Sequence, residues 1–120
     1  RHVRGGVVEV VLDRALGDLF ERTPTHSPGR VIRDLAVMLA DGGAALCDLG
    51  AVRGQEALFG PVASDATAFR LIERIAGDPD ALERIAAARA EARSRAWRRS
   101  TASIRSISAS CSWPRWNSVT

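Results

Sequence analysis

Lysine and tyrosine are missing altogether from the 120 residues, and aromatic side chains make up only 5% of them. A core with so few rings must draw on the Ala, Leu, Val and Ile that dominate the 46% hydrophobic content. The Ala and Leu share of that set favours helices over sheets. With no lysine, every basic residue is arginine, a usage that fits the coding bias of a GC-rich genome. An arginine here is therefore not in itself a sign of bidentate phosphate recognition. Cys47, Cys111, His2 and His26 are the only cysteines and histidines, and no pairing of them has metal-ligand spacing. Cys47 lies among Ala, Leu and Gly and is expected as a buried, reduced thiol, which fits a cytoplasmic setting. The longest uncharged apolar run, residues 35–40, is far too short to span a bilayer, and no signal peptide precedes it, so no membrane partner is expected. There is no Ser-His-Asp or Cys-His arrangement, and "ADGGAA" lacks the Lys and the spacing of a phosphate loop. No catalytic machinery, cofactor site or small-molecule substrate is expected.

What the chain does have is a split in charge. Residues 1–83 carry nine Arg against thirteen Asp and Glu, a balance of −4, whereas residues 84–120 carry eight Arg against Glu91 alone, a balance of +7. A basic end on an acidic body points to a polyanion-binding segment, or to a tail foreign to the fold.

Apolar residues recur at helical spacing. Val8, Val11, Leu12, Ala15, Leu16, Leu19 and Phe20 define an amphipathic helix over residues 5–22, although its early Val run could pass for a strand; Thr23-Pro24 ends it. Ser27-Pro28 reads as the cap and first position of a second helix that runs to Asp41 and stops at Gly42-Gly43. Its centre, "LAVMLA", is apolar all round, which predicts the central buried helix. A shorter helix over 44–52, a single turn within "GQEALFGP", a Ser64-capped helix over 64–76 and an Arg-rich helix from Asp78-Pro79 to about Trp97 complete the reading. From Ser100 the character changes: seven Ser in twenty-one residues, no acidic residue and no consistent period. This predicts an all-α, compact bundle of about five helices over residues 5–99, helix-turn-helix-like. Residues 100–120 are expected as a disordered basic tail or a stretch translated out of frame.

Two helices carry the candidate interface. Short helices with tight Gly breaks ahead of a Ser-capped helix match the outline of a helix-turn-helix, whose second helix presents its first residues to base edges. On that helix Phe69, Ile72, Ile75 and Ala76 are expected to face the core. Thr67, Arg70 and Arg74 are the expected donors to phosphates or bases. The plainer alternative keeps Ser64 as a cap and Arg70, Glu73 and Arg74 as a solvated face. The Arg-rich helix offers Arg84, Arg89, Arg93, Arg95, Arg98 and Arg99; Arg89 and Arg93 share a face that phosphates would attract without sequence preference. Asp34, Asp41 and Asp48, seven residues apart, are cut by Gly42-Gly43 and are not expected to hold a metal.

Residues 26–75, "HSPGRVIRDLAVMLADGGAALCDLGAVRGQEALFGPVASDATAFRLIERI", resemble the N-terminal region of DDE-type transposases of bacterial insertion sequences, in particular the group numbered 1380. The likeness rests on a His-x-Pro-x-Arg-Val start, a Leu-Ala-x-x-Leu-Ala-Asp-Gly-Gly helix and a Phe-Gly-x-Val-Ala-Ser-Asp-x-Thr segment before an Arg-bearing helix. With looser flanks it extends over residues 5–97. The resemblance implies a DNA-binding or subunit-pairing region that precedes an RNase H-like domain, where three carboxylates hold two divalent metals. From Ser100 onward this chain has no Asp, no Glu and no hydrophobic strand, a departure that implies a truncated or frameshifted transposase without enzymatic activity. The partners implied are the element's terminal inverted repeats and other transposase subunits, in the nucleoid-associated bacterial cytoplasm. Thr67, Arg70 and Arg74 are the foremost contacts, with Arg30 and Arg33 behind them. The alternatives are a helical domain without DNA affinity, or a fragment that inhibits the intact enzyme.

Overall fold

The computed structural model describes residues 6–110, which form six α-helices and, among the described residues, no strand. They are α1 Val7–Leu16, α2 Pro28–Ala40, α3 Leu49–Arg53, α4 Glu56–Phe59, α5 Asp65–Gly77 and α6 Ala81–Ser110, with 3₁₀ turns at Gly17–Leu19 and Leu46–Asp48. The early valine run is helical, because Val11, Leu12 and Leu16 share a stripe that buries completely while Val8 and Val10 stay half exposed. α1 ends well short of Arg22. Gly17 weakens it, the chain tightens into a 3₁₀ turn, and Phe20 is extended at φ −122°, which lets its ring join a different cluster.

The core has two parts. Val11 and Leu12 of α1 pack on Ala88 of α6, with Ile85 and Ile32 at the margin. Val31 and Met38 of α2 pack on Leu49, Val52, Ala63, Ala68 and Leu71. Ile32 borders both, so α2 joins the two parts. It is not the enclosed helix that "LAVMLA" suggests. Met38 is buried and Leu35 and Val37 are half-buried, but Leu39 is 61% exposed and Ala36 and Ala40 face solvent. α1, packed against both α2 and α6, holds the more central place.

The α1–α2 crossing depends on Gly29. A Cβ there would overlap the Glu9 carbonyl oxygen and lie 2.9 Å from Asp13 Oδ1, and the Gly29 amide donates to that same carboxylate at 2.6 Å. Asp13 thereby places a negative charge at the α2 N-terminus, where Ser27 Oγ also accepts from the Arg30 amide. At the other end Gly42 takes φ 96°, which a side chain resists, and the Gly43 amide reaches Met38 O at 2.8 Å. Asp48 Oδ2 then accepts from the Ala44 and Ala45 amides and holds the turn into α3.

α6 runs uninterrupted to Ser110, past the end expected near Trp97, so residues 100–110 are helical and not a disordered tail. No Gly or Pro occurs between Ala81 and Ser110, and Ala, Arg and Ser tolerate the helix. The expectation for residues 111–120 lies outside the described residues. Only the first half of α6 is covered: Ala81, Ala88 and Ala92 are buried, and beyond them the packing face continues as Arg95, Ala96, Arg99 and Ser103. Arg95 and Ser103 stand there in place of large apolar side chains, the helix projects beyond the body, and the molecule measures 72 × 32 × 30 Å.

Candidate nucleic-acid interface

Ser64 caps α5: its Oγ accepts from the Thr67 amide at 3.2 Å and lies 3.0 Å from Thr67 Oγ1. Thr67 is half-buried and turned back onto the cap. The core face of α5 is Ala68, Leu71 and Ile75, one residue off the expected register. Phe69 and Ile72, expected inside, are 50% and 42% exposed. At helical spacing two apolar stripes compete for one core, and the smaller Ala68, fully buried, joins the cluster that holds Val31 and Ala63.

This rotation groups three expected contacts. Thr67, Arg70 and Arg74 line a cavity of about 210 Å³ with His26, Phe20 and Leu71. Arg70 is exposed. Arg74 Nη1 donates to Leu19 O at 2.8 Å, and its guanidinium stacks 5.0 Å from the Phe20 ring centroid, so it is oriented before any ligand arrives. His26 and Phe20 escaped the sequence reading because they belong to the segment before α2, remote in sequence from α5. The single turn expected within "GQEALFGP" is α4, which precedes the Ser64 cap of α5.

Arg30 and Arg33 do not join this group. Arg33 donates to Glu9 Oε1, to Asp34 Oδ1 at 2.6 Å and to Phe59 O at 3.0 Å, and so ties α1, α2 and α4 together. Asp34 is 1% exposed; burial outweighs its arginine partner and lifts its carboxyl above the usual carboxylate range. Arg30 is half-buried against the Gly60 turn, and its Nε lacks a partner. The three evenly spaced carboxylates are dispersed: Asp34 is in the core, Asp41 is exposed at the α2 end, and Asp48 holds its turn, where two amides pull its carboxyl below the usual range. No group of His, Cys, Asp or Glu among the described residues is placed to hold a metal ion. Cys47, expected buried, is exposed, because Leu46 and Leu49 flank it three residues apart and turn inward.

The arginines of α6 divide in the same way as the helix. Arg84 bonds Asp78 at 2.7 Å and lies 4.0 Å from Asp18, and Arg95 is bonded to Glu91. Arg89, Arg93, Arg98, Arg99 and Arg105 are exposed and make no ion pair among the described residues. Beyond Glu91 the helix carries no carboxylate. Arg105 escaped notice because it falls past the expected helix end. No helix among the described residues is long and apolar enough to cross a membrane. No protein-family model, no curated protein and no solved structure matches this chain.

Proposed function

We propose that this chain is a nucleic-acid-binding helical module in which the projecting half of α6 holds the phosphate backbone and the cavity edge of α5 adds a second contact. The observation that carries this reading is the set of Arg93, Arg98, Arg99 and Arg105, spread around a helix that carries no carboxylate beyond Glu91 and is exposed over most of residues 96–105. A positive helix held away from an acidic body attracts a polyanion and keeps it off the body's carboxylates. Arg70, midway along α5, and Arg74, in its last turn, supply donors at the edge of the cavity. The resemblance of residues 26–75 to insertion-sequence transposases supports a DNA-binding and assembly role in transposition. On that reading the duplex is the element's terminal inverted repeat and the setting is the bacterial nucleoid. Strand cleavage in that family belongs to a separate metal-holding domain, and no catalytic role is proposed for this chain.

The test is a fluorescence-anisotropy titration of the full chain against duplex DNA. Replacing Arg93, Arg98, Arg99 and Arg105 with Gln is expected to weaken binding at least about tenfold at low salt, with a smaller loss for Arg70→Ala. Unchanged affinity in the fourfold variant would sink the proposal. The second reading, a subunit-pairing domain without DNA affinity, is favoured by the exposed Phe69 and Ile72 and by the acidic balance of the body.

A further inference from the structure

α5 carries more apolar surface than its core uses. Ala68, Leu71 and Ile75 face inward, while Phe69, Ile72 and Ala76, three and four residues apart, form a second stripe that faces solvent. The projecting half of α6 has a counterpart: Trp97 is 73% and Ile104 64% exposed. These two are seven residues apart, about 10.5 Å along the helix, the same separation as Phe69 and Ala76. The charges beside the stripes are opposite. Glu73 borders the α5 stripe without an ion-pair partner among the described residues, and Asp65 at its start is held by Arg53 at 2.8 Å. Arg98 and Arg105 follow Trp97 and Ile104 directly and flank the α6 stripe.

We propose that the projecting half of α6 from one copy of this chain docks across the outer face of α5 in a second copy, with Trp97 and Ile104 against Phe69 and Ile72 and with Arg98 or Arg105 against Glu73. Charge selects this pairing over its two rivals. Arm against arm would bring Arg93, Arg98 and Arg105 of both copies together, and α5 against α5 would do the same for Glu73 and Asp65. Each copy owns one surface of each kind, so a closed two-fold dimer makes the contact twice. That doubling matters, because one helix-on-helix contact falls short of the roughly 800 Å² per partner typical of a stable interface. Arg99 lies on the opposite side of α6 from Trp97, so the docked arm still offers a cation to a phosphate.

Sedimentation velocity of the full chain without nucleic acid tests this. Wild type is expected to dimerise with rising concentration and to dissociate as salt rises. Trp97→Ser and Phe69→Ser alter exposed side chains; each, shown folded by circular dichroism, is expected to weaken the dimer about tenfold or more. An equimolar mixture of the two variants is expected to associate more strongly than either variant alone, though less than wild type, because one of the two contacts is then intact. A mixture no stronger than either variant alone would overturn the proposal by indicating like-with-like pairing. A wild type that stays monomeric throughout would overturn it as well, and neither result depends on whether the chain binds DNA.

Discussion

Arg33 and Arg99 are the same residue type at helical positions, yet they have opposite fates. In the body, residues 6–92, four arginines are absorbed by the fold: Arg33 by two buried carboxylates and a carbonyl, Arg53 by Asp65, Arg74 by Leu19 O and Arg84 by Asp78, while Arg70 and Arg89 stay exposed. In the arm, beyond Ala92, Arg95 alone among the described residues finds a carboxylate. The contrast teaches that propensity suffices to make the arm a helix, whereas the body's helices are placed by what they bury. Side chains that the body uses for cohesion are, in the arm, left for a partner.

The largest expected effect comes from moving that boundary inward. Arg33→Ala leaves Asp34 and Glu9, 1% and 7% exposed, without their cation and is expected to cost about 3–5 kcal/mol in urea unfolding. Arg99→Ala in the arm is expected to change stability by less than about 0.5 kcal/mol. Equal effects would erase the distinction between body and arm. A similar contrast holds for apolar residues: Leu49→Ala, at a fully buried site, is expected to cost about 2–5 kcal/mol, and Ile104→Ala close to nothing. Gly29→Ala forces a methyl onto the Glu9 carbonyl and is expected to lower stability by about 1–3 kcal/mol, whereas Gly77→Ala, with open space at its Cβ, is expected not to destabilise.

The smallest effects are those of pH. Asp34 has a folded-state pKa above its unfolded value, so the folded state binds the extra proton, and Asp34's contribution to stability falls as pH rises through that window. Asp48 acts in the opposite sense: its depressed pKa gives stability that is present above the unfolded value and is lost as pH falls through the folded one. Asp48→Asn should therefore remove part of the acid sensitivity of thermal unfolding below about pH 4, and an unchanged acid limb would refute the assignment.

The all-α class was legible in the sequence, as were both Ser caps and the Gly42-Gly43 stop, because each depends on neighbours a few residues away. The rotation of α5 was not legible. Phe69-Ile72-Ala76 and Ala68-Leu71-Ile75 are both valid apolar stripes, and only the shape of the Val31–Ala63 surface decides between them. Cys47 failed for a related reason, since a 3₁₀ turn gives adjacent residues opposite exposures. The length of α6 was obscured by Ser-rich composition, although nothing in it breaks a helix before Pro114. The fate of Arg33 depends on Glu9 and on Phe59 O, 24 and 26 residues away, and that of Arg30 on the Gly60 turn, contacts that no local pattern reveals.

Amide hydrogen exchange of the full chain, with and without duplex DNA, bears most directly on the division between body and arm and on the arm's role. Without DNA, at a concentration and salt where the chain is monomeric, residues 81–92 should be protected and residues 97–105 should exchange fast, the apolar cover ending between them. With DNA, protection should rise over residues 93–105, with a smaller rise over 67–74. Uniform protection along α6 in the free chain, or a gain confined to the body, would contradict the account.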